Sequence, residues 1–356
     1  MKILICVEFY NPSKGGVQYH NELIVQNLIK KKFDVHVATR YDKNRNLKEF
    51  NYHIHQFNCS GNIASGFNGK DVNQYQKFLI NSKYDYIIFY AAQQWSFDLA
   101  LPIMHLIKSK KIFIPCGFSK LKSIFYYIYY FILKNKLQYF SKIIFFSKLT
   151  IDYKFIKKTN TNKNLYIIPN AGENFNNFFV KKNKKNYLRI LNVANFNFLK
   201  NQILVILCSI FFKKKFKIYF IYSKKNFYYY FCNILAKFIE LFSKKKKYLF
   251  FYNISKLKIK KFYKGSDLFL FTSLTECSPL VIHDCLTSGL KFISSNSGNC
   301  MELAKKQKGS HIYKNLNHLI SMVNKFRQNY KKKNNTKLSW DNVIHKYEKV
   351  ILSSKY

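Results

Sequence analysis

The chain has 356 residues and a formal net charge of +44, with 61 Lys or Arg against 17 Asp or Glu. Its 48% hydrophobic content excludes wholesale disorder, and its length suits two domains that each bury a core. Only Arg40, Arg45, Arg189 and Arg327 are arginine, and lysine lacks the planar fork that grips phosphate or guanine bidentately, so no specific nucleic-acid partner is expected. Lys, Asn, Ile, Phe and Tyr share AT-rich codons. Base composition is therefore the main source assigned to the charge and an anionic partner the lesser one, and either attracts the chain to an anionic membrane surface.

The run Ile3 to Phe9 reads as a first buried strand, too short for a signal-peptide core. Further short apolar runs follow at Val35 to Ala38, Tyr86 to Ala91, Lys111 to Pro115, Ile143 to Phe146 and Tyr166 to Ile168, separated by segments able to form helices. This alternation predicts parallel sheets covered on both faces. Gln93, Gln94 and Trp95 form either a polar cluster lining a binding site or, on the blander reading, a loop packed by one Trp. No apolar run reaches the roughly 18 residues that span a bilayer. Ser123 to Leu133 (SIFYYIYYFIL), flanked by Lys120, Lys122, Lys134 and Lys136, suits an interfacial segment and a buried helix equally.

Polar residues and a lysine cluster break the pattern at 171–188, which reads as a linker between residues 1–170 and 189–335. Strand-like runs resume at Ile190 to Ala194, Ile218 to Tyr222, Tyr248 to Tyr252, Leu268 to Phe271 and Phe292 to Ser294. Each half is expected to be a doubly wound, Rossmann-like sheet with its ligand edge at the carboxyl ends of the strands. Residues 336–356 contain a terminal helix, with Val343, Tyr347 and Ile351 on one face, expected to pack back on the first domain. The eight cysteines show neither metal-ligand spacing nor disulfide density, which predicts reduced thiols, and no histidine pair has zinc spacing.

The chemistry concentrates between Asp267 and Glu302. There a strand leads through a polar turn (Thr272 to Cys277) to a helix, with Ser278 expected as N-cap, Pro279 in the first helical position and Gly289 closing the helix left-handed. Free amides near Leu280 and Val281 would face a phosphate oxygen, a diphosphate cradle that needs no metal. Glu276 and Asp284 could edge the same pocket, their oxygens accepting from sugar hydroxyls; on spacing alone, an ordinary strand-turn-helix with two solvent-facing carboxylates stands equally well.

This run resembles the signature of the retaining glycosyltransferases of family 4, in which a Glu is followed after seven residues by a second Glu. Glu276 matches the first and Asp284 stands at the second, while Gly289, Gly298, Asn299 and Glu302 fit the continuation. Three other segments are similar to the family in the same order: Phe9 to Val17, with the glycine turn Gly15-Gly16; Ile168 to Gly172, the Pro-Asn segment between domains; and Val193 to Asn201. The resemblance implies that Lys200 neutralises the leaving diphosphate, with Asn195 where many relatives carry an arginine. Cys116 stands where numerous relatives have a histidine beside the reacting sugar, and a buried structural thiol is its plainer reading.

As a whole the resemblance implies a GT-B fold, two Rossmann-like domains with parallel sheets facing across a cleft. It implies transfer of a sugar from a nucleotide-diphosphate sugar, with retention and without metal or other cofactor, to a saccharide or lipid-linked acceptor. Capsule, lipopolysaccharide or another surface glycan would be the product, made at the cytoplasmic face of a membrane. A GT-B epimerase or phosphorylase, or a nucleotide-sugar binder that has lost catalysis, would share the fold.

Overall fold

The computed structural model describes residues 1–118, 120–121, 123–159, 164–175, 178, 186–327 and 340–353. The chain divides into two compact units, Met1–Pro169 with Ile344–Tyr356, and Asn170–Val343. Of the expected linker, 176–177 and 179–185 lie outside the described residues, as do Lys122 and Lys331 to Lys333.

The first unit runs β1 (Lys2–Cys6), α1 (Gly16–Lys30), β2 (Asp34–Arg40), β3 (His53–Phe57), the short hairpin β4 (Ser60–Asn62) and β5 (Gly66–Asn68), then α2 (Val72–Ile80) and β6 (Tyr86–Tyr90). It continues with α3 (Trp95–Asp98), β7 (Lys110–Ile114), α4 (Tyr127–Lys136), β8 (Lys142–Phe145), α5 (Ile151–Thr159) and β9 (Leu165–Ile167). The seven-stranded sheet has the order β3-β2-β1-β6-β7-β8-β9, parallel throughout. Strand β6 (YIIFY) is buried at every position, as a strand covered on both faces must be. Trp95 is core, and the rings of Phe97 and Phe113 stack at 4.3 Å.

Strand β3 (HIHQF) has no continuous apolar run, so hydrophobic periodicity passes over it. Its polar groups are satisfied sideways instead. His36 Nδ1 lies 3.0 Å from His55 Nε2 and 3.0 Å from the Tyr84 hydroxyl, and burial lowers the His55 pKa to about 4.

The second unit runs β10 (Leu188–Val193), α6 (Gln202–Ser209), β11 (Phe216–Tyr222), α7 (Phe227–Leu241), β12 (Lys246–Tyr252), α8 (Lys256–Gly265) and β13 (Leu268–Phe271). It ends with α9 (Leu280–Ser288), β14 (Phe292–Ser294), α10 (Cys300–Lys305), β15 (His311–Ile312) and α11 (Leu316–Lys325). The sheet order is β12-β11-β10-β13-β14-β15, again all parallel. One apolar cluster packs α6, α7 and α11 on one face of this sheet, and another packs α8, α9 and α10 on the other. Both units therefore have the doubly wound order, which reverses next to the first strand of each and opens a crevice at the carboxyl ends there.

The last helix, α12 (Trp340–Leu352), buries Val343, Tyr347 and Ile351, the three residues spaced to share a face. Within the first unit, Lys142 of β8 sends its ammonium to the end of this helix, donating to the carbonyls of Val350, Ile351 (3.2 Å) and Ser353 (2.6 Å). A cation among terminal helix carbonyls satisfies acceptors that the helix leaves unpaired. Replacing Lys142 with Met should lower stability by about 1–3 kcal/mol. The checks are a lower melting temperature and earlier proteolytic release of the C-terminal segment.

Candidate active site

In the second unit the strand order reverses between β10 and β13, so the loops leaving these strands frame the crevice. The loop after β10 carries Asn195 and Lys200, and the loop after β13 carries Glu276 and Ser278. The two loops are stitched together: Leu274 N donates to Leu199 O at 2.7 Å, and the Thr272 hydroxyl to Asn201 O at 2.8 Å. At the junction the Lys200 ammonium pairs with Glu276 Oε1, and the Ser273 hydroxyl donates to the same oxygen at 2.6 Å. Lys200 and Glu276, 76 positions apart in sequence, thus share one contact.

Gly298 explains how tightly this turn is built. Its φ of +55° lies in the left-handed region, and a Cβ there would come within 2.3 Å of Cys277 O and 2.9 Å of Glu276 O. Only glycine lets the β14–α10 loop press on the Glu276 backbone. Asn299 N then donates to Cys277 O at 3.0 Å, while Glu302 turns to Lys306 at 2.8 Å in the first turns of α10.

The helix start differs in detail from the expected cap. Pro279 is extended (φ −70°, ψ 118°), so α9 begins at Leu280 and Pro279 takes the cap position. The Ser278 hydroxyl instead meets Nε2 of the buried His283 at 3.0 Å, and burial lowers the His283 pKa to about 3. The first amide to bond back belongs to Ile282, donating to Pro279 O, which leaves Leu280 and Val281 as the first-turn donors that a helix cannot satisfy itself. Gly289 closes the helix left-handed, with φ 73°.

Asn195 and Asp284 have other partners. Asn195 Oδ1 accepts from Ser223 N at 2.8 Å and from the Ser223 hydroxyl at 2.9 Å, tying the β10 loop to the β11 loop. Asp284 Oδ1 accepts from Glu173 N at 2.8 Å, and the Glu173 carboxylate pairs with Lys260 at 2.9 Å. This carboxyl belongs with Glu173, Lys260 and Tyr263 rather than with Glu276, and burial raises its pKa to about 7. Asp is one methylene shorter than Glu, and from this helix position it is captured by the backbone beside it. Gly172 permits that close approach, since a Cβ on it would meet His283 O at 2.4 Å. Sequence reasoning missed Ser273, Glu173 and Lys260. Their pairings join distant segments, and no local spacing signals them.

In the first unit, Gly15 and Cys116 lie in the connections leaving the carboxyl ends of β1 and β7, with Gly16 just inside the helix that follows β1. Gly15 is extended and precedes α1, and Gly16 is the first residue of that helix. The loop before them is fastened by Arg45, whose guanidinium donates to Asn11 O at 2.6 Å and to Arg40 O at 2.9 Å. Cys116 has φ 57° and is followed by Gly117 at 95°, and the buried Asp152 accepts from Gly117 N at 2.9 Å to fix this turn. Gln93 also has a positive φ, 61°, and its side chain donates to the Tyr130 hydroxyl at 3.0 Å. Of the six non-glycine residues with positive φ among the described residues, Ala91, Gln93, Cys116, Asn201 and Asn253 follow strand carboxyl ends, and Lys32 alone does not. Backbone strain is thus concentrated at the edge where doubly wound folds bind ligands.

Residues 173–338 match the family model described as Glycosyl transferases group 1. The chain thus carries a group 1 glycosyltransferase domain, which spans most of its second unit. No curated protein matches it by sequence. Among solved structures the chain is similar to a glycosyltransferase from Rickettsia africae, at TM-score 0.70 and 14% identity, covering 99% of each chain. It is similar also to the lipopolysaccharide outer core galactosyltransferase WaaB in its apo form, at TM-score 0.68 and 11% identity, covering 100% of each chain. The Anabaena protein HepE, solved with UDP-glucose, matches at TM-score 0.65 and 14% identity, over 91% of this chain and 89% of that one. These likenesses show the GT-B fold, with two Rossmann-like halves.

The Asp284 environment makes a stability prediction for this protein. The unfolded carboxyl titrates near 3.8 and the folded one at about 7, so between those values the fold keeps a proton that the unfolded chain has released. The contribution is full below the lower value and is lost as pH rises through the upper one. Asp284→Asn should therefore raise the melting temperature relative to the parent more at about pH 8 than at about pH 5. Equal offsets in melts at the two pH values would show that the carboxyl titrates normally.

Proposed function

We propose that the protein is a retaining glycosyltransferase that moves a sugar from a nucleotide-diphosphate sugar to a saccharide or lipid-linked saccharide in surface-glycan synthesis. The observation that carries this reading is the Lys200–Glu276 pair at the strand-order reversal of a group 1 domain. The amides of Leu280 and Val281 at the start of α9 add a second anion-favouring feature. In the proposed reaction the bond from the anomeric carbon to the phosphate oxygen breaks with its electron pair going to the diphosphate, the acceptor hydroxyl oxygen bonds to that carbon, and its proton passes to the departing diphosphate. Lys200 and the helix start stabilise the charge that develops there. Glu276 accepts from hydroxyls of the donor sugar. The named relatives support the substrate class, since HepE was solved with UDP-glucose and WaaB is a lipopolysaccharide galactosyltransferase. No metal takes part in this scheme, so transfer should survive EDTA.

A lipid-linked acceptor places the work at an anionic membrane surface, on its cytoplasmic side. Helix α4 and the turn before it suit that setting. Tyr129, Tyr130 and Leu133 are buried, while Ile124, Tyr127, Ile128 and Phe131 are exposed between the exposed lysines Lys120 and Lys134. The two readings of Ser123 to Leu133 thus describe opposite faces of one segment. Among the described residues no helix is long and apolar enough to cross a membrane.

Glu276→Ala and Lys200→Ala should each lower transfer at least about tenfold, equivalent to about 1.4 kcal/mol of lost transition-state stabilisation. The assay is radiolabel transfer to a saccharide acceptor, with the donor chosen by thermal shift against UDP-, GDP- and ADP-sugars. Full activity in both variants would remove these residues from the reaction.

A further inference from the structure

Helix α7 turns a broad apolar face outward, and its polar residues Asn233, Lys237 and Glu240 are confined to one flank. Counted at 100° per residue, Phe227, Tyr230, Phe231, Ile234, Phe238 and Leu241 fall within about 60° of Ile234. All six are exposed, Phe227 and Leu241 to 81% and Ile234 to 70%. The one charged residue on that arc, Lys237, pairs with Glu240 at 3.2 Å. The opposite face, with Tyr228, Tyr229, Cys232, Ala236 and Ile239, is committed to the core of the second unit. An ordinary surface helix of a globular protein turns charged residues outward at these positions. A continuous stripe of large apolar side chains marks a contact surface rather than the scattered exposure common on proteins.

The stripe is extended by its neighbours. Phe242 follows the helix, exposed, and exposed Phe198 sits 4.6 Å from the Tyr228 ring at its start. Exposed lysines bracket it: Lys224 and Lys225 before the helix, and Lys244, Lys245 and Lys247 after it. Lys246 donates to Ile210 O at 2.5 Å, which sets that lysine run beside the end of α6, where Ile210 and Phe211 are exposed. From Lys213 to Lys264 the only acidic residue is Glu240.

We propose that this face docks on an anionic lipid surface, with α7 lying in the plane of the interface and the lysines at its ends meeting lipid phosphates. Fifteen residues reach only about 22 Å, short of the roughly 30 Å hydrocarbon core, so the helix lies on the bilayer and does not cross it. A second copy of this chain fits the face worse, because pairing two such faces would bring lysine rims of like charge together. The proposal rests on the reading of the protein as one that works at a membrane. It adds a contact on the second unit, separate from α4.

Co-sedimentation of the full chain with vesicles tests it, using phosphatidylcholine alone and phosphatidylcholine mixed with phosphatidylglycerol. The parent should partition onto the anionic vesicles, and an Ile234→Glu, Phe238→Glu variant should do so about tenfold less with an unchanged thermal melt. An Ile128→Glu, Phe131→Glu variant reports α4 separately. If only the α4 variant loses binding, the docking role of α7 is wrong and the membrane setting stands; if the parent ignores anionic vesicles, both fail. A parent that sediments as a dimer, with the α7 variant monomeric and equally vesicle-bound, would show that a second copy covers the face and overturn the proposal. Should the double variant not fold, Ile234→Trp in the full chain replaces it. Quenching of its fluorescence by brominated phosphatidylglycerol is expected, and no quenching beyond that of the parent rejects the docking.

Discussion

The reversal of strand order between β10 and β13 is the constraint on which the chemistry of the second unit depends. At their starts the two strands are clamped by a two-pronged contact: the Arg189 guanidinium meets both oxygens of Asp267 at 3.0 Å, and Asp267 N returns a bond to Arg189 O at 2.8 Å. The parallel ladder then covers only Ile190 with Leu268 and Leu191 with Phe269. At the next step a side chain replaces the backbone, Asn192 Nδ2 donating to Leu270 O at 2.8 Å. Beyond it the following helices, α6 and α9, pack on opposite faces of the sheet, and the two stitched loops rim the crevice that this reversal opens. Lys200 and Glu276 meet because each is the residue its loop delivers there.

The same clamp shows how the protein distributes its few arginines. Arg189 and Arg45 both act as planar forks that hold several acceptors at once, one at the base of the central strands and one behind the glycine loop of the first unit. Lysine, a single point on a flexible stem, cannot make such flat, two-pronged contacts. Where lysine is used internally, as at Lys142, it gathers converging carbonyls around one ammonium. The remaining lysines are mostly exposed and give the chain its field, not its architecture.

Much of this was legible in the sequence because parallel strands buried on both faces leave uninterrupted apolar runs. Strands β13 (LFLF) and β14 (FIS) were readable to the residue and the other runs to within one or two, except the first, which overshot the end of β1 by three. Strand β3 was not legible, since His36, His55 and Tyr84 satisfy one another across the sheet edge and need no apolar run. The same limit applied at the site. Glycines and a proline announced the ends of α9, but hydroxyl and carboxyl partners are chosen by whatever the fold brings near. Ser278 therefore went to His283 instead of capping the helix, and Asp284 went to Glu173.

The Lys200–Glu276 pair has a consequence for how a donor would enter. Lys200 is partly exposed but Glu276 is mostly covered, so parting them is favourable only where another anion takes the place of the carboxylate at Lys200. A diphosphate offers Lys200 more negative charge than one carboxylate does, and the start of α9 favours the same anion. On the proposed reaction, donor binding is thus an exchange in which Lys200 leaves Glu276 for the diphosphate and Glu276 gains capacity for sugar hydroxyls. Ser273 keeps the released carboxylate from turning away, because its hydroxyl holds the same Oε1 at 2.6 Å. On that scheme the pair would couple the two ends of the donor, since neither group would reach its ligand-bound arrangement until the other had changed partner.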